Sequence, residues 1–282
     1  MTQGVLYVVA TPIGNLDDIT LRALNVLRSV DGVLAEDTRR TATLLRHFSI
    51  RAALTSLHDH NERERAQSVC ERLQGGQSLA LVSDAGTPLI SDPGFYLVRA
   101  VRAQGARVVP VPGACAAIAA LCAGALPTDR FVFEGFLPSP AGARAQRLQS
   151  LASEPRTIVF YESPHRITQL LEDLAVSFDA HREAVLAREL TKMYEEFVSG
   201  TVAELANRLR EGEIKVRGEM VLVLRGYDAQ DADPDSVELD RVLDTLLEEL
   251  PLKQAASLAA RLCGVKRNAA YARALARNAL HD

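Results

Sequence analysis

Short apolar runs punctuate the chain at residues 5–10, 79–82, 108–111, 131–133, 158–161, 184–187 and 220–224. Runs of this length fit strands buried on both faces of a sheet. Between them lie segments with helical period, such as Ile19, Ala23, Val26, Leu27 and Val30, which share one face of a helix. Strands alternating with helices predict an α/β protein with largely parallel sheets. Asp92-Pro93 and Ser163-Pro164 each predict a helix start, with an oxygen for orphan amides followed by proline at the first helical position. The apolar stretch 114–126 reads as a buried helix and is too short to span a membrane.

The pattern changes at two places. Leu126-Pro127-Thr128-Asp129-Arg130 separates one strand-helix series from the next, which predicts an N-terminal α/β domain over 1–126 and a second over 127–226. Residues 227–236 are polar and acidic and read as a linker. Beyond it, Leu239, Val242, Leu243, Leu246, Leu247 and Leu250 form one amphipathic stripe that ends at Pro251. Two further helices, over 253–263 and 266–280, meet at Gly264, a residue suited to the left-handed position that closes a helix. An all-α module over 237–282 with the shape of a helix-turn-helix is expected.

Charge sharpens that division. The chain of 282 residues has a formal net charge of -4, but residues 228–249 hold nine acidic side chains against the single Arg241. Residues 253–282 hold six basic side chains, Lys253, Arg261, Lys266, Arg267, Arg273 and Arg277, against Asp282. A basic helical module behind an acidic linker points to a polyanionic partner, with a merely solvated surface as the bland alternative. With 48% hydrophobic and 24% charged residues the composition excludes fibrous and disordered classes. The first nine residues carry no basic stretch of a secretory signal, so the cytoplasm is the expected compartment. Cys70, Cys115, Cys122 and Cys263 show no CxxC spacing, which suggests small buried hydrophobes rather than a zinc site or disulfides.

No GxGxxG follows the first strand and no GxxxxGK[ST] occurs anywhere, which disfavours a dinucleotide-binding fold and a P-loop. Three small-residue turns follow strands instead: Ala10-Thr11-Pro12-Ile13-Gly14-Asn15, Ser83-Asp84-Ala85-Gly86-Thr87-Pro88 and Pro112-Gly113-Ala114-Cys115-Ala116. In an open α/β sheet, ligands settle beyond the carboxyl ends of strands, where small residues let them approach the backbone. Polar clusters occupy other strand ends: Glu36-Asp37-Thr38-Arg39-Arg40, His58-Asp59-His60-Asn61-Glu62, Tyr161-Glu162-Ser163-Pro164-His165-Arg166 and Arg188-Glu189-Leu190-Thr191-Lys192. His58 and His60 have no obvious third ligand, so no metal is assigned. Glu36-Asp37 can equally cap the helix beginning near Thr38, and Arg39, Arg166 and Arg188 can hold phosphates or form ion pairs.

The motifs ATPIGNLDDIT, AEDTRRT, LHDHNE, LVSDAGTPLISDPG, VPVPGACAAI, FEGFLP, YESPHR, ARELTK and GEMVLVL, in this order, resemble the tetrapyrrole (corrin/porphyrin) methylase fold family. Within it they resemble the bacterial cytidine 2'-O-methyltransferases of 16S rRNA, over essentially the whole chain. The resemblance implies two α/β domains of the class III S-adenosylmethionine-dependent methyltransferase type, the donor in the cleft between them, a homodimer, and 16S rRNA of the small ribosomal subunit as substrate, with no membrane. It implies donor contacts from Ile13, Asp84, Gly86, Thr87, Cys115 and Ala116, and from Tyr161, Arg188, Gly218 and Glu219 in the second domain. Where broader members of the fold family have GDP in the fourth-strand turn, this chain has Ser83-Asp84-Ala85, retaining the aspartate alone.

Methyl transfer to a ribose hydroxyl needs positioning above all, and benefits from a general base and from a cation beside the developing alkoxide. Asp37 or Asp84 is the expected base, with His58 as another proton acceptor, and Arg39 or Lys192 the expected cation. Two alternatives stay open: a corrinoid methylase with the same donor, and a noncatalytic RNA-binding assembly factor that has kept the cleft.

Overall fold

The computed structural model describes residues 3–178, 180–228 and 234–278. Its first unit is a five-stranded parallel sheet of β1 (Val5–Val9), β2 (Gly32–Ala35), β3 (Leu54–Ser56), β4 (Leu79–Val82) and β5 (Arg107–Val111), in the order β3-β2-β4-β1-β5. Helices α1 (Leu21–Ser29) and α2 (Thr38–His47) cover one face, and α3 (Glu62–Gln74) and α4 (Phe95–Ala103) the other. The period of two along a strand explains how: Leu79 and Leu81 pack with Leu73, Leu97 and Val101, whereas Ala80 and Val82 pack with Leu27 and Leu45.

The second sheet holds β6 (Phe131–Gly135), β7 (Thr157–Glu162), β8 (Glu183–Arg188), β9 (Glu196–Thr201) and β10 (Met220–Leu224), ordered β6-β7-β10-β8-β9. Only β6 and β7 run parallel. The pairs β7-β10, β10-β8 and β8-β9 are antiparallel, which corrects the expectation of largely parallel sheets. The cause lies in the connections: β8 and β9 are joined by a seven-residue loop, too short for the crossover that a parallel pair requires. Helices α6 (Ala141–Leu151), α7 (Ile167–Ser177) and α8 (Val202–Arg210) pack on one face around Phe160, Leu186 and Leu222.

The other face is covered by α5 (Ala116–Ala123), the helix that follows β5 of the first sheet. Its Ala117, Ala120 and Leu121 pack against Val159, Ala187, Val221 and Val223. A boundary after Leu126 falls in the connection between the sheets, yet α5, on the N-terminal side of it, shares its core with the second sheet. Because α5 lies on a sheet rather than inside one, its outer face, with Ile118 and Cys122, is exposed, not buried as expected. The same holds for the cysteines as a group: Cys70 is buried, Cys115 and Cys263 are half-buried and Cys122 is exposed.

Neither proline starts its helix. α4 begins at Phe95 after Gly94, and Pro93 belongs to the loop. α7 begins at Ile167, and Ser163 instead offers its carbonyl to the amides of Arg166 and Ile167 in the preceding turn. The C-terminal module comprises α9 (Pro234–Leu247), α10 (Leu252–Leu262) and α11 (Arg267–Asn278) around Leu239, Leu243, Ala256, Ala259, Ala270 and Ala274. Gly264 has φ of +69°, the left-handed closure expected between the last two helices. Part of the expected linker, 229–233, and the chain end with Asp282 lie outside the described residues, as does the side chain of Arg277. Among the described residues no helix is long and apolar enough to cross a membrane.

Candidate active site

The three small-residue turns meet at the carboxyl ends of β1, β4 and β5, which are adjacent in the sheet. Thr11 and Gly86 exchange backbone hydrogen bonds, Thr11 N–H to Gly86 O at 2.8 Å and Gly86 N–H to Thr11 O at 3.1 Å. Thr87 Oγ1 donates to Ala114 O at 3.0 Å, tying the second turn to the third. Gly86 has φ of +80°, a conformation in which a side chain is strained, and a Cβ there would crowd Ile13 Cγ2 at 3.2 Å.

These turns form one wall of a cleft of about 330 Å³. Ile13, Gly86, Thr87, Cys115 and Ala116 line it from the first domain, with Ile90, Ser91 and Asp92. Tyr161, Glu162, Ser163 and Pro164 from the end of β7, Leu190 from the β8–β9 loop, and Glu219, Met220 and Val221 from the start of β10 line it from the second. Phe136 closes the rim, its ring 5.7 Å from that of Tyr161. The Tyr161 hydroxyl accepts from Ala117 N–H at 3.0 Å, satisfying one orphan donor at the start of α5. Burial pushes the Tyr161 phenol above its ordinary range, so it stays neutral.

A second cavity of about 390 Å³ opens beside the first and shares Ile13, Ala85 and Glu219 with it. This vestibule is polar, with Arg40, His47, Asp84 and Lys192 on its walls. Lys192 Nζ donates to Glu189 at 2.7 Å and to Glu219 at 3.0 Å. Burial alone would depress this ammonium, but the two carboxylates outweigh it and hold the charge more firmly than usual. Glu189 and Thr191 adopt left-handed φ of 51° and 66°, and the stem of Lys192 lies over Gly14 so closely that a Cβ there would stand 2.5 Å from it. Thr191 Oγ1 also accepts from Asn15 N–H at 3.2 Å, so the β8–β9 loop latches the second domain onto the first turn. Gly218, at φ +86°, leaves room for the Glu189 carboxylate, which accepts from Glu219 N–H.

Of the residues expected to contact the donor, Ile13, Gly86, Thr87, Cys115, Ala116, Tyr161 and Glu219 come together around the cleft. Asp84 lines the vestibule instead, accepting from Asp37 N–H at 2.9 Å and standing 3.3 Å from Arg40. Gly218 shapes the Glu189 contact without lining the cleft. Arg188 is buried in a cross-strand pair with Glu196 at 2.8 Å and lines neither cavity. Among the expected catalytic groups Asp84 and Lys192 reach the vestibule, and Asp37, Arg39 and His58 do not. Asp37 caps α2 by accepting from Arg39 N–H at 2.8 Å and is clasped by the Arg39 side chain, which holds its carboxyl down to about 2. Arg39 itself is 89% exposed. His58 sits in the turn before α3, where Asn61 accepts from its backbone N–H at 2.9 Å.

Asp92, Phe136, Ser163, Met220 and Val221 were not singled out as site residues from the sequence. Each lies in a motif that carries the family resemblance, Asp92 in SDAGTPLISDPG, Phe136 in FEGFLP, Ser163 in YESPHR, and Met220 and Val221 in GEMVLVL, and for Asp92 the Asp-Pro pair reads locally as a helix cap.

The tetrapyrrole (corrin/porphyrin) methylase family matches residues 5–206, and the C-terminal helix-turn-helix domain described as "RsmI C-terminal HTH domain" matches residues 233–278. Among solved structures the chain is similar to uroporphyrin-III C-methyl transferase from Thermus thermophilus complexed with S-adenyl homocysteine. That match has a TM-score of 0.55 at 19% identity over 79% of this chain and 97% of that one. It is also similar to diphthine synthase, with a TM-score of 0.59 at 16% identity over 79% and 90%. The two sheets and the cleft between them are thus those of a tetrapyrrole methylase fold. Full-length relatives narrow the class. The ribosomal RNA small subunit methyltransferase I of Pseudomonas aeruginosa is 54% identical over 98% of this chain and 99% of its own length. Its namesake from Escherichia coli O157:H7 is 54% identical over 97% and 96%. The chain belongs to the ribosomal RNA small subunit methyltransferase I family and is an S-adenosylmethionine-dependent methyltransferase.

Proposed function

We propose that this protein methylates the ribose 2'-hydroxyl of a cytidine in 16S rRNA of the small ribosomal subunit, in the cytoplasm and as a homodimer. The observation that carries the reading is full-length identity of 54% to a ribosomal RNA small subunit methyltransferase I, together with a cleft whose lining suits the donor. The fit rests on Gly86, whose missing side chain leaves a cradle, on the amide-rich start of α5 beside Cys115 and Ala116, and on the apolar wall of Ile13, Leu190, Met220 and Val221. Bound there, S-adenosylmethionine supplies an electrophilic methyl group on a sulfonium centre.

The chain's own residues divide the remaining work. Tyr161 fixes the start of α5, and Gly86 and Thr87 set the backbone that the donor approaches. Lys192 positions Glu219 and Glu189 at the junction of cleft and vestibule, and Arg40 in the vestibule offers a cation to RNA phosphate. Asp84 holds that arginine. The basic helices α10 and α11 add a second, sequence-independent grip on the RNA backbone.

Incubation with labelled S-adenosylmethionine and, in parallel, small ribosomal subunits or a reduced porphyrin tests the reading. Label in 16S rRNA is expected. Label in the macrocycle alone would replace the acceptor, and donor binding with label in neither would leave a noncatalytic assembly factor.

A further inference from the structure

We propose that the groove leading outward from the vestibule is a nucleobase subsite, which takes the base of the nucleotide adjoining the acceptor and holds it between His47 and Met193. This deepens the RNA methylation reading and rests on it.

Three observations converge on the groove. The first is its continuity with the reacting centre. The cleft meets the vestibule at Ile13, Ala85 and Glu219, and the vestibule meets a third cavity of about 650 Å³ at Gly14, Leu16, His47 and Lys192. An acceptor ribose must reach the mouth of the cleft to meet the methyl group, so its nucleoside fills the vestibule and the next nucleotide of the strand falls in the third cavity. A cleft walled by both domains cannot admit a duplex, and a strand drawn into it has left its stacking partners behind.

The second observation is what flanks the third cavity. His47 is the last residue of α2, and its exposed ring packs edge to face with Phe48, centroids 4.8 Å apart, while Phe48 lies against the first-domain core. The ring is thus anchored and still open to solvent. Met193 lines the same cavity from the β8–β9 loop at 89% exposure, with Tyr194 beside it at 67%. That loop is tightly closed: Thr191 N–H donates to Glu195 Oε2 at 2.6 Å, and Glu195 N–H donates to Lys192 O at 3.1 Å. Leu16, 38% exposed, adds an apolar floor on a turn that Asn15 caps by accepting from Asp17 N–H at 3.1 Å. Fixed aromatic and thioether surfaces held out in water are what an unstacked base packs on.

The third observation is charge. Lys192 is the one lysine or arginine lining this cavity, and its ammonium is engaged by Glu189 and Glu219, while Asp17 adds a carboxylate to the wall. The interior therefore disfavours a phosphate and suits an uncharged ring. Phosphates of the same strand meet cations along α2 instead, where Arg39, Arg40 and Arg46 are exposed.

The test uses the full-length protein, S-adenosylhomocysteine as the donor-site probe and assembled small subunits as acceptor. Neither His47 nor Met193 lines the donor cleft, so His47→Ala and Met193→Ala should bind S-adenosylhomocysteine as the wild type does, which also reports folding. Each should raise the KM for small subunits about tenfold and hold the rate at saturation, the mark of binding shared by ground and transition state. His47→Phe keeps a stacking face and should stay within about twofold of the wild type, whereas His47→Lys, without one, should behave as His47→Ala. Exchange of Met193 for the photo-reactive p-benzoylphenylalanine, followed by irradiation on small subunits, should cross-link 16S rRNA at a nucleotide next to the methylated cytidine, mapped by primer extension. Rescue by His47→Lys but not by His47→Phe would mean a phosphate contact and overturn the subsite. So would an unchanged KM in both alanine variants, or a cross-link confined to ribosomal protein or to nucleotides that do not adjoin the cytidine. Label placed in 16S rRNA by the wild type reports the underlying RNA reading on its own, so its failure and that of the subsite are told apart.

Discussion

The two walls of the cleft are built by different means. The first-domain wall is largely backbone: three turns at neighbouring parallel strand ends, cross-linked by Thr11, Gly86, Thr87 and Ala114, with side chains kept small so that the main chain itself faces the ligand. The second-domain wall consists mainly of side chains, from Tyr161 to Ser163, Leu190, and Glu219 to Val221, set by the register in which β10 pairs with β7 and β8. A backbone wall fixes where the donor lies and tolerates almost no substitution at its closest point. A side-chain wall tunes the environment and tolerates conservative change.

The largest break in that contrast should come from Gly86→Val. A left-handed β-branched residue whose Cβ presses on Ile13 ought to lower S-adenosylhomocysteine affinity by about 100-fold or more, read by calorimetry, a loss corresponding to roughly 3 kcal/mol of strain and steric exclusion. Tyr161→Phe, on the opposite wall, should cost about tenfold in donor affinity, because Ala117 N–H loses its acceptor and an orphaned buried amide costs roughly 1–3 kcal/mol. Lys192→Ala should act on the acceptor side. Its partly exposed ion pairs are each worth roughly 0.2–1 kcal/mol, so the KM for small subunits should rise by up to about fivefold while donor affinity holds. A fall in donor affinity matching that of Tyr161→Phe would erase the distinction between cleft and vestibule.

The smallest effect is thermal. Asp92 in the folded protein keeps its proton up to about 7, whereas an unfolded aspartate loses it near 4. The folded state therefore binds more protons between those values, and this group's contribution to stability falls as pH rises through that window. Asp92→Asn should accordingly raise the melting temperature by a few degrees at pH 8 and leave it unchanged near pH 4. Equal curves at both pH values would mean that Asp92 is ionised at no cost.

The same contrast explains what could be read from the sequence. The central strands β1, β4, β7, β8 and β10 announced themselves as apolar runs, because burial on both faces leaves no polar positions, whereas β2, four residues long and opened by Gly32, did not. β3, with Leu54-Thr55-Ser56, and β9, with Glu196 to Thr201, gave no such run, and both lie at sheet edges where one side is solvated. The turns of the backbone wall were legible as short strings of glycine, proline and small residues. The side-chain wall depends on strand pairing between residues about 60 apart, such as Met220 and Glu162, which no local pattern encodes. Asp92 shows the limit most clearly. Asp-Pro is a good helix opening in isolation, and only the left-handed residues around it withhold the helix until Phe95 and present the carboxylate to the cleft.

The most direct test of the central claim is alkaline hydrolysis of 16S rRNA labelled from methyl-labelled S-adenosylmethionine. A methylated 2'-oxygen cannot attack the adjacent phosphate, so the account predicts label in an alkali-resistant dinucleotide whose 5' nucleoside is cytidine. Label released in mononucleotides would place the methyl group on a base and contradict it.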